Sequence, residues 1–161
     1  PRRPGPGGPN LSTFFVDQGL SRAPEEATLH AVGVTRVVTP HKHPLTYDPT
    51  NVFARILRGE IPAKVLHDDE HCMAFHDVTP QAPTHFLVIP KRDIATLSDA
   101  TPADESLLGH LLVTAANVAK QLGVAEDGSR IVINNGAGAG QTVFHLHVHV
   151  LAGRNLAWPP G

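Results

Sequence analysis

The stretch TVFHLHVHVLAG, residues 142–153, sets His145, His147 and His149 at every second position, with Leu146 and Val148 between them. Alternation is the period of a β-strand, whose side chains point to opposite faces in turn. Read so, Phe144, Leu146, Val148 and Val150 face a core, and the three imidazoles line the other face about 7 Å apart. A solvated strand face can use any polar residue, so three histidines exceed what that reading needs. Two chemistries remain. Imidazole is the commonest metal ligand, and catalytic zinc often takes three protein ligands. Equally, one imidazole can act as nucleophile with its neighbours in support. Spacing separates neither.

The residues just upstream tilt the balance. NNGAGAGQT (134–142) is a Gly-rich connection, and glycine lets backbone N–H groups approach an anion closely. It is no P-loop, since no Gly-Lys-Ser/Thr is present and no helix is expected after it. A Gly-rich connection is commonly only a turn. Leading straight into the histidines, it reads as a phosphate cradle.

Working outward, SRIVINNG (129–136) reads as a strand that precedes this loop, and FHLHVHVLAG (144–153) as the strand that follows it. Earlier, KVLHDDE, CMAFHD and THFLVIP read as three more strands divided by turn residues. Between the two groups, ATPADESLLGHLLVTAANVAKQLG is the strongest helix pattern, with Thr101 as cap, Pro102 at the first position and Asp104 accepting from the cap. Leu107, Leu108, Leu111, Leu112, Ala115, Val118, Ala119 and Leu122 form its apolar stripe, and Gly123 ends it. A shorter helix is expected in TNVFARILRGEIP, capped by Thr50 or Asn51, with Val52, Phe53, Ile56 and Leu57 on one stripe. Five strands in mostly consecutive runs and two helices imply an α+β fold with an antiparallel sheet.

Residues 1–49 differ. PRRPGPGGPN cannot form a regular element and reads as a disordered tail, followed by a short β-like run at 31–38 and Pro-punctuated loop. The expected organisation is an N-terminal extension over 1–49, partly disordered, and one domain over 50–161. Four arginines and few acids in the extension leave an organellar targeting peptide open, beside a cytoplasmic default.

Composition narrows the function classes. A formal net charge of −2 offers no basic surface for general nucleic-acid binding. No apolar run is long enough for a membrane span. The single cysteine, Cys72, supports neither an internal disulfide nor a CxxC zinc site, so a reducing compartment is expected.

HLHVHV (145–150), FHDVTPQAPTHFLVIPK (75–91), ESLLGHLL (105–112) and WPPG (158–161), in that arrangement, resemble the Hint branch of the histidine triad (HIT) superfamily over about residues 50–161. The resemblance implies a HIT-like fold, five antiparallel strands with two helices, and a homodimer carrying a ten-stranded sheet. It implies metal-free purine nucleoside phosphoramidase chemistry with no cofactor. The substrates would be phosphoramidates of AMP or GMP and aminoacyl-adenylates. By matching position, His147 is the nucleophile toward the α-phosphate, His149 contacts phosphate or leaving group, and His145 and His85 support the site. Asp77 matches the ribose carboxylate. Val52, Phe53, Ile56, Phe75, His76 and Val78 match the purine pocket. Asn134, Gly140, Gln141 and Thr142 match phosphate contacts, and Trp158 matches a residue reaching across the dimer.

Thr142 stands where many relatives have Ser, keeping the hydroxyl but restricting its rotamer. Phe144 stands for a common Tyr, and the zinc-binding cysteines that some relatives carry near the first helix are not found here. The rival readings are a dinucleoside polyphosphate hydrolase and a non-catalytic nucleotide- or zinc-binding regulatory protein. A nucleotidyltransferase is disfavoured by the intact third histidine, His149.

Overall fold

The computed structural model describes residues 47–160. The Pro-rich tail and the β-like run expected at 31–38 lie outside them. Helix α1 spans Val52–Leu57, followed by strands β1 (Val65–Asp68), β2 (Cys72–His76) and β3 (Thr84–Pro90). Helix α2 spans Glu105–Gln121, and β4 (Ser129–Val132) and β5 (Val148–Ala152) complete the domain.

Asn51, rather than Thr50, caps α1: its Oδ1 accepts the N–H groups of Phe53 and Ala54, each at 3.0 Å. Thr50 instead gives its hydroxyl to Asp48 at 2.6 Å. Gly59, with φ 74°, takes the left-handed turn that lets the chain leave the helix.

Before α2, Thr101 donates its N–H and hydroxyl to Asp104 Oδ2 at 2.8 and 2.9 Å. The cap is as expected, but Pro102–Asp104 forms a 3₁₀ turn, and the α-helix proper begins at Glu105. The buried stripe also differs in one position. Leu112 is 44% exposed, whereas Thr114 is 4% exposed. Leu111, Ala115 and Val118 centre the buried arc, and residue 112 is turned about 100° away from 111.

The five strands form one antiparallel sheet in the order β1-β2-β3-β5-β4. Strand alternation gives its faces different partners. Cys72, Ala74, Phe86, Val88, Val148 and Val150 pack with Leu111, Ala115, Val118 and Ala119 of α2. Met73, Phe75, Leu87 and Ile89 pack with Phe53, flanked by Ile56 and Leu57 of α1. In β3 and β5 the register pairs Leu87 with His149 and His85 with Leu151. His85, Leu87 and His149 therefore belong to the α1 face, two residues apart or directly opposite.

The strand expected over 144–153 is shorter. Only His149 of the three histidines lies in β5; His145 and His147 lie in an irregular run before it. The ladder to β3 stops at the Val88–Val148 pair. Beyond it stands Pro90, which has no N–H to offer a partner strand. Leu146 N–H instead donates to Ile94 O at 2.7 Å. Leu146, Val148 and Val150 are buried as expected, while Phe144 is only half-buried.

Candidate functional site

Each histidine of the triad is held by a different partner, and the partners fix where its proton sits. His145 Nε2 is 2.9 Å from the Pro90 carbonyl. A carbonyl only accepts, so Nε2 carries the proton and Nδ1 is free to accept. Tyr47 Oη lies 2.5 Å from that Nδ1 and donates to it. His147 Nδ1 is 2.7 Å from the His145 carbonyl, so Nδ1 carries its proton and Nε2 keeps a bare lone pair.

The fourth histidine fixes the third. The Gln81 amide donates to His85 Nδ1 at 3.1 Å, which puts the proton of neutral His85 on Nε2. His85 Nε2 lies 2.9 Å from His149 Nδ1 and donates to it. Neutral His149 then carries its own proton on Nε2. The outcome is two adjacent rings of opposite character, with centroids 4.9 Å apart: His147 presents a lone pair and His149 an N–H.

Burial keeps these rings neutral. It pushes His147 below the ordinary histidine value, against the opposing effect of its bond to the His145 carbonyl. His149 is pushed down to about 4, by burial first and then by the nearby His147 and His85 rings. Burial also lowers His145 and His85, the latter opposed by Asp77. Asp77 Oδ2 sits 3.5 Å from His85 Nε2, a contact with a neutral ring rather than an ion pair.

A cavity of about 620 Å³ opens on the α1 face beside these rings. Val52, Phe53 and Ile56 wall one side, with Phe75, His76, Asp77 and Val78 contributed by β2 and its following turn. His85, His149, Gly140 and Thr142 close it toward the triad. His147, 5% exposed, stands against that wall, its ring edge-on to Phe53 at 5.1 Å. Phe53 is thus core residue and cavity wall at once. His76, Asp77, Val78 and His85 also border an adjoining hollow of about 720 Å³ that no triad residue lines; of the three, only His149 lines the smaller cavity.

The Gly-rich connection contains a 3₁₀ turn over Ala137–Ala139, bounded by Gly136 (φ 86°) and Gly140 (φ 84°), conformations that a side chain would strain. Gln141 braces it. Its Nε2 donates to Ala95 O and Val143 O at 2.8 and 3.0 Å, and its Oε1 accepts the Gly136 N–H at 2.8 Å. The Gln141 side chain is therefore committed to the loop, while Gly140 and Thr142 on either side line the cavity. Asn134 is half-buried and Trp158 is 85% exposed; neither lines the cavity.

Tyr47 and Gln81 are functional neighbours that sequence reasoning missed. Tyr47 lies three residues ahead of the expected domain start, and nothing in LTYDPT marks it except its being the only tyrosine. Gln81 acts through its backbone amide, which no side-chain pattern reveals. For a metal, Asp77, His85 and His149 bring ligand atoms within 4.8 Å of one another. The His85–His149 hydrogen bond would have to open to admit one.

Residues 58–156 match the HIT domain family. The chain belongs to that family. An uncharacterized HIT-like protein of Synechocystis sp. is 57% identical over 110 residues, 68% of this chain and 96% of that protein. A HIT family hydrolase from Legionella pneumophila Philadelphia 1 is similar in structure at TM-score 0.68 and 47% identity, covering 69% of this chain and 99% of that one. A histidine triad nucleotide-binding protein from Candida albicans aligns at TM-score 0.59 and 30% identity, over 68% and 83% of the two chains. In this HIT domain the triad is divided between a loop and a strand, with His149 alone in the sheet. No described helix is long and apolar enough to cross a membrane.

Proposed function

We propose that this HIT domain is a purine nucleoside phosphoramidase, hydrolysing the P–N bond of nucleoside 5′-monophosphoramidates through a covalent nucleotidyl–His147. The observation that carries the reading is the bare Nε2 of His147, held by the Nδ1–H bond to the His145 carbonyl and kept unprotonated by burial. The names of its relatives, a hydrolase in one case and a nucleotide-binding protein in another, support the same class.

In this reading His147 Nε2 attacks the α-phosphorus, a P–N bond to the ring forms, and the substrate's P–N bond breaks. The departing nitrogen takes a proton from solvent through the Thr142 hydroxyl and leaves as the amine. His149 Nε2–H donates to a phosphate oxygen on which charge gathers. Water then cleaves the bond to His147, releasing the nucleoside monophosphate and the free imidazole. Asp77 accepts from the ribose hydroxyls, and Val52, Phe53, Ile56, Phe75 and Val78 enclose the purine.

The organisation into an N-terminal extension and a domain from about residue 50 belongs to the proposal, as does a homodimer. Leu112 and Val113 on α2 and Ile131 on the edge strand β4 are exposed apolar residues available for pairing, and exposed Trp158 would reach the neighbouring site. Turnover of a fluorogenic adenosine phosphoramidate by wild type and His147→Ala tests the function. A wild type that leaves the P–N bond intact refutes it, and a variant as fast as wild type refutes the nucleophile.

A further inference from the structure

On the opposite face from the cavity, a second group of histidines surrounds one carboxylate. His67 Nε2 on β1 and His110 Nε2 on α2 both lie 2.7 Å from Asp69 Oδ2. Cys72 Sγ, at the start of β2, lies 3.8 Å from the same oxygen. The other carboxylate oxygen, Oδ1, accepts the His71 and Cys72 amides at 2.8 Å each, so the turn itself aims Oδ2 at the other three groups. Ligand atoms of His67, Asp69 and Cys72 lie within 4.8 Å of one another. The proposed phosphoramidase chemistry uses none of these residues.

We infer that His67, Asp69, Cys72 and His110 form a tetrahedral site for a zinc-class divalent cation that ties β1 and β2 to α2. Two imidazoles, a carboxylate and a thiolate are the donor set zinc favours, and four protein ligands with no open position make a structural site. His67, Asp69 and Cys72 are already gathered, whereas His110 approaches Asp69 but stands outside that group and has to swing toward His67 and Cys72 to complete the site. At usual zinc bond lengths tetrahedral ligands stand about 3.4 Å apart for N and O, and about 3.6 Å for S and O. Relative to Asp69, the observed 2.7 Å and 3.8 Å require the imidazoles to open by several tenths of an ångström and the sulfur to close slightly. The histidine side chains are 37% and 36% exposed, which leaves room for that shift, and His110 borders a hollow of about 520 Å³ through which an ion can enter.

Nearby cations are already matched: Lys91 Nζ is 2.7 Å from Asp68, and Arg92 pairs with Asp104. The carboxylate is ionised in advance. Burial opposes its charge, but the bonds from His67, the Cys72 amide, His110 and the His71 amide outweigh that and hold Asp69 well below the usual carboxylate range. On binding, the cation takes the place of the proton on Nε2 of each imidazole. The Cys72 thiol, raised to about 11 by burial in the metal-free state, releases one proton to solvent.

The test uses cobalt(II) as a spectroscopic substitute for zinc in the full chain. The expected spectrum has strong tetrahedral d–d bands and a thiolate-to-cobalt charge-transfer band. Cys72 is the only cysteine in the chain, so that band can arise at no other place. His110→Gln and Cys72→Ser should each weaken zinc binding at this site by at least about 100-fold, whereas His85→Ala/His149→Ala should leave the band intact. A cobalt spectrum without the charge-transfer band, or His110→Gln with wild-type zinc affinity, overturns the assignment. Should a variant fail to fold, the wild-type spectrum alone decides.

Discussion

The two histidine groups of this domain use one side chain in opposite ways. In the cavity, backbone carbonyls and amides hold the outer nitrogens, burial removes water, and the rings remain neutral with a chosen nitrogen bare or protonated. At the β1–β2 turn, two partly exposed rings converge on one ionised carboxylate and a buried thiol. The neighbours of a ring, rather than the histidine itself, set which of its nitrogens is bare and which is engaged.

The sharpest way to break that comparison is to remove one ring from each group. His147→Ala should lower phosphoramidase turnover by about 1,000-fold or more, as loss of an attacking nucleophile does. His110→Gln should leave turnover at the wild-type value under the same assay. Comparable losses in both would mean that the groups are not functionally separate.

Acid should distinguish them next. Because burial lowers His147, the acid limb of kcat/KM should fall below the ordinary histidine value of 6.5. Stability has the same sign. An unfolded His149 takes up a proton near 6.5, whereas the folded ring resists until about 4, so the stability its neutrality provides is present above that window and lost as pH falls through it. Urea midpoints across this interval measure the loss, and His149→Gln should flatten the slope.

A smaller effect sharpens the role of the outer nitrogens. Tyr47→Phe removes the donor to His145 Nδ1 and should lower kcat by about fivefold, the equivalent of one neutral hydrogen bond, with KM unchanged. A rise in KM with kcat intact would assign Tyr47 to substrate binding instead of to positioning the triad.

Much of this molecule was legible in its residues. The strands and both helices follow from alternation, the Asn51 cap, the Thr101/Asp104 reciprocity and the α2 stripe. The strand expected through His145 and His147 failed because its limit is set by Pro90, fifty-five residues away in sequence from His145, and alternation carries no information about the partner strand. Leu112 was misplaced because a stripe read from apolarity alone does not reveal where its arc ends. Among site residues, the cavity walls came from a family resemblance. The tautomers did not, since they depend on the Pro90, His145 and Gln81 backbones, whose positions only the folded chain defines.

The parity of the sheet has one further consequence. Along β3, His85 and Leu87 look toward the cavity while Phe86 and Val88 look toward α2. Deleting a single residue between Thr84 and Pro90 would exchange those roles from the gap onward, turning side chains that now pack on α2, such as Val88, toward the ligand. Side chains on this strand can be exchanged one at a time, but the count of residues cannot. Among descendants of this gene, length variation should therefore collect in the turns and avoid β3, even where the amino acids of β3 have drifted.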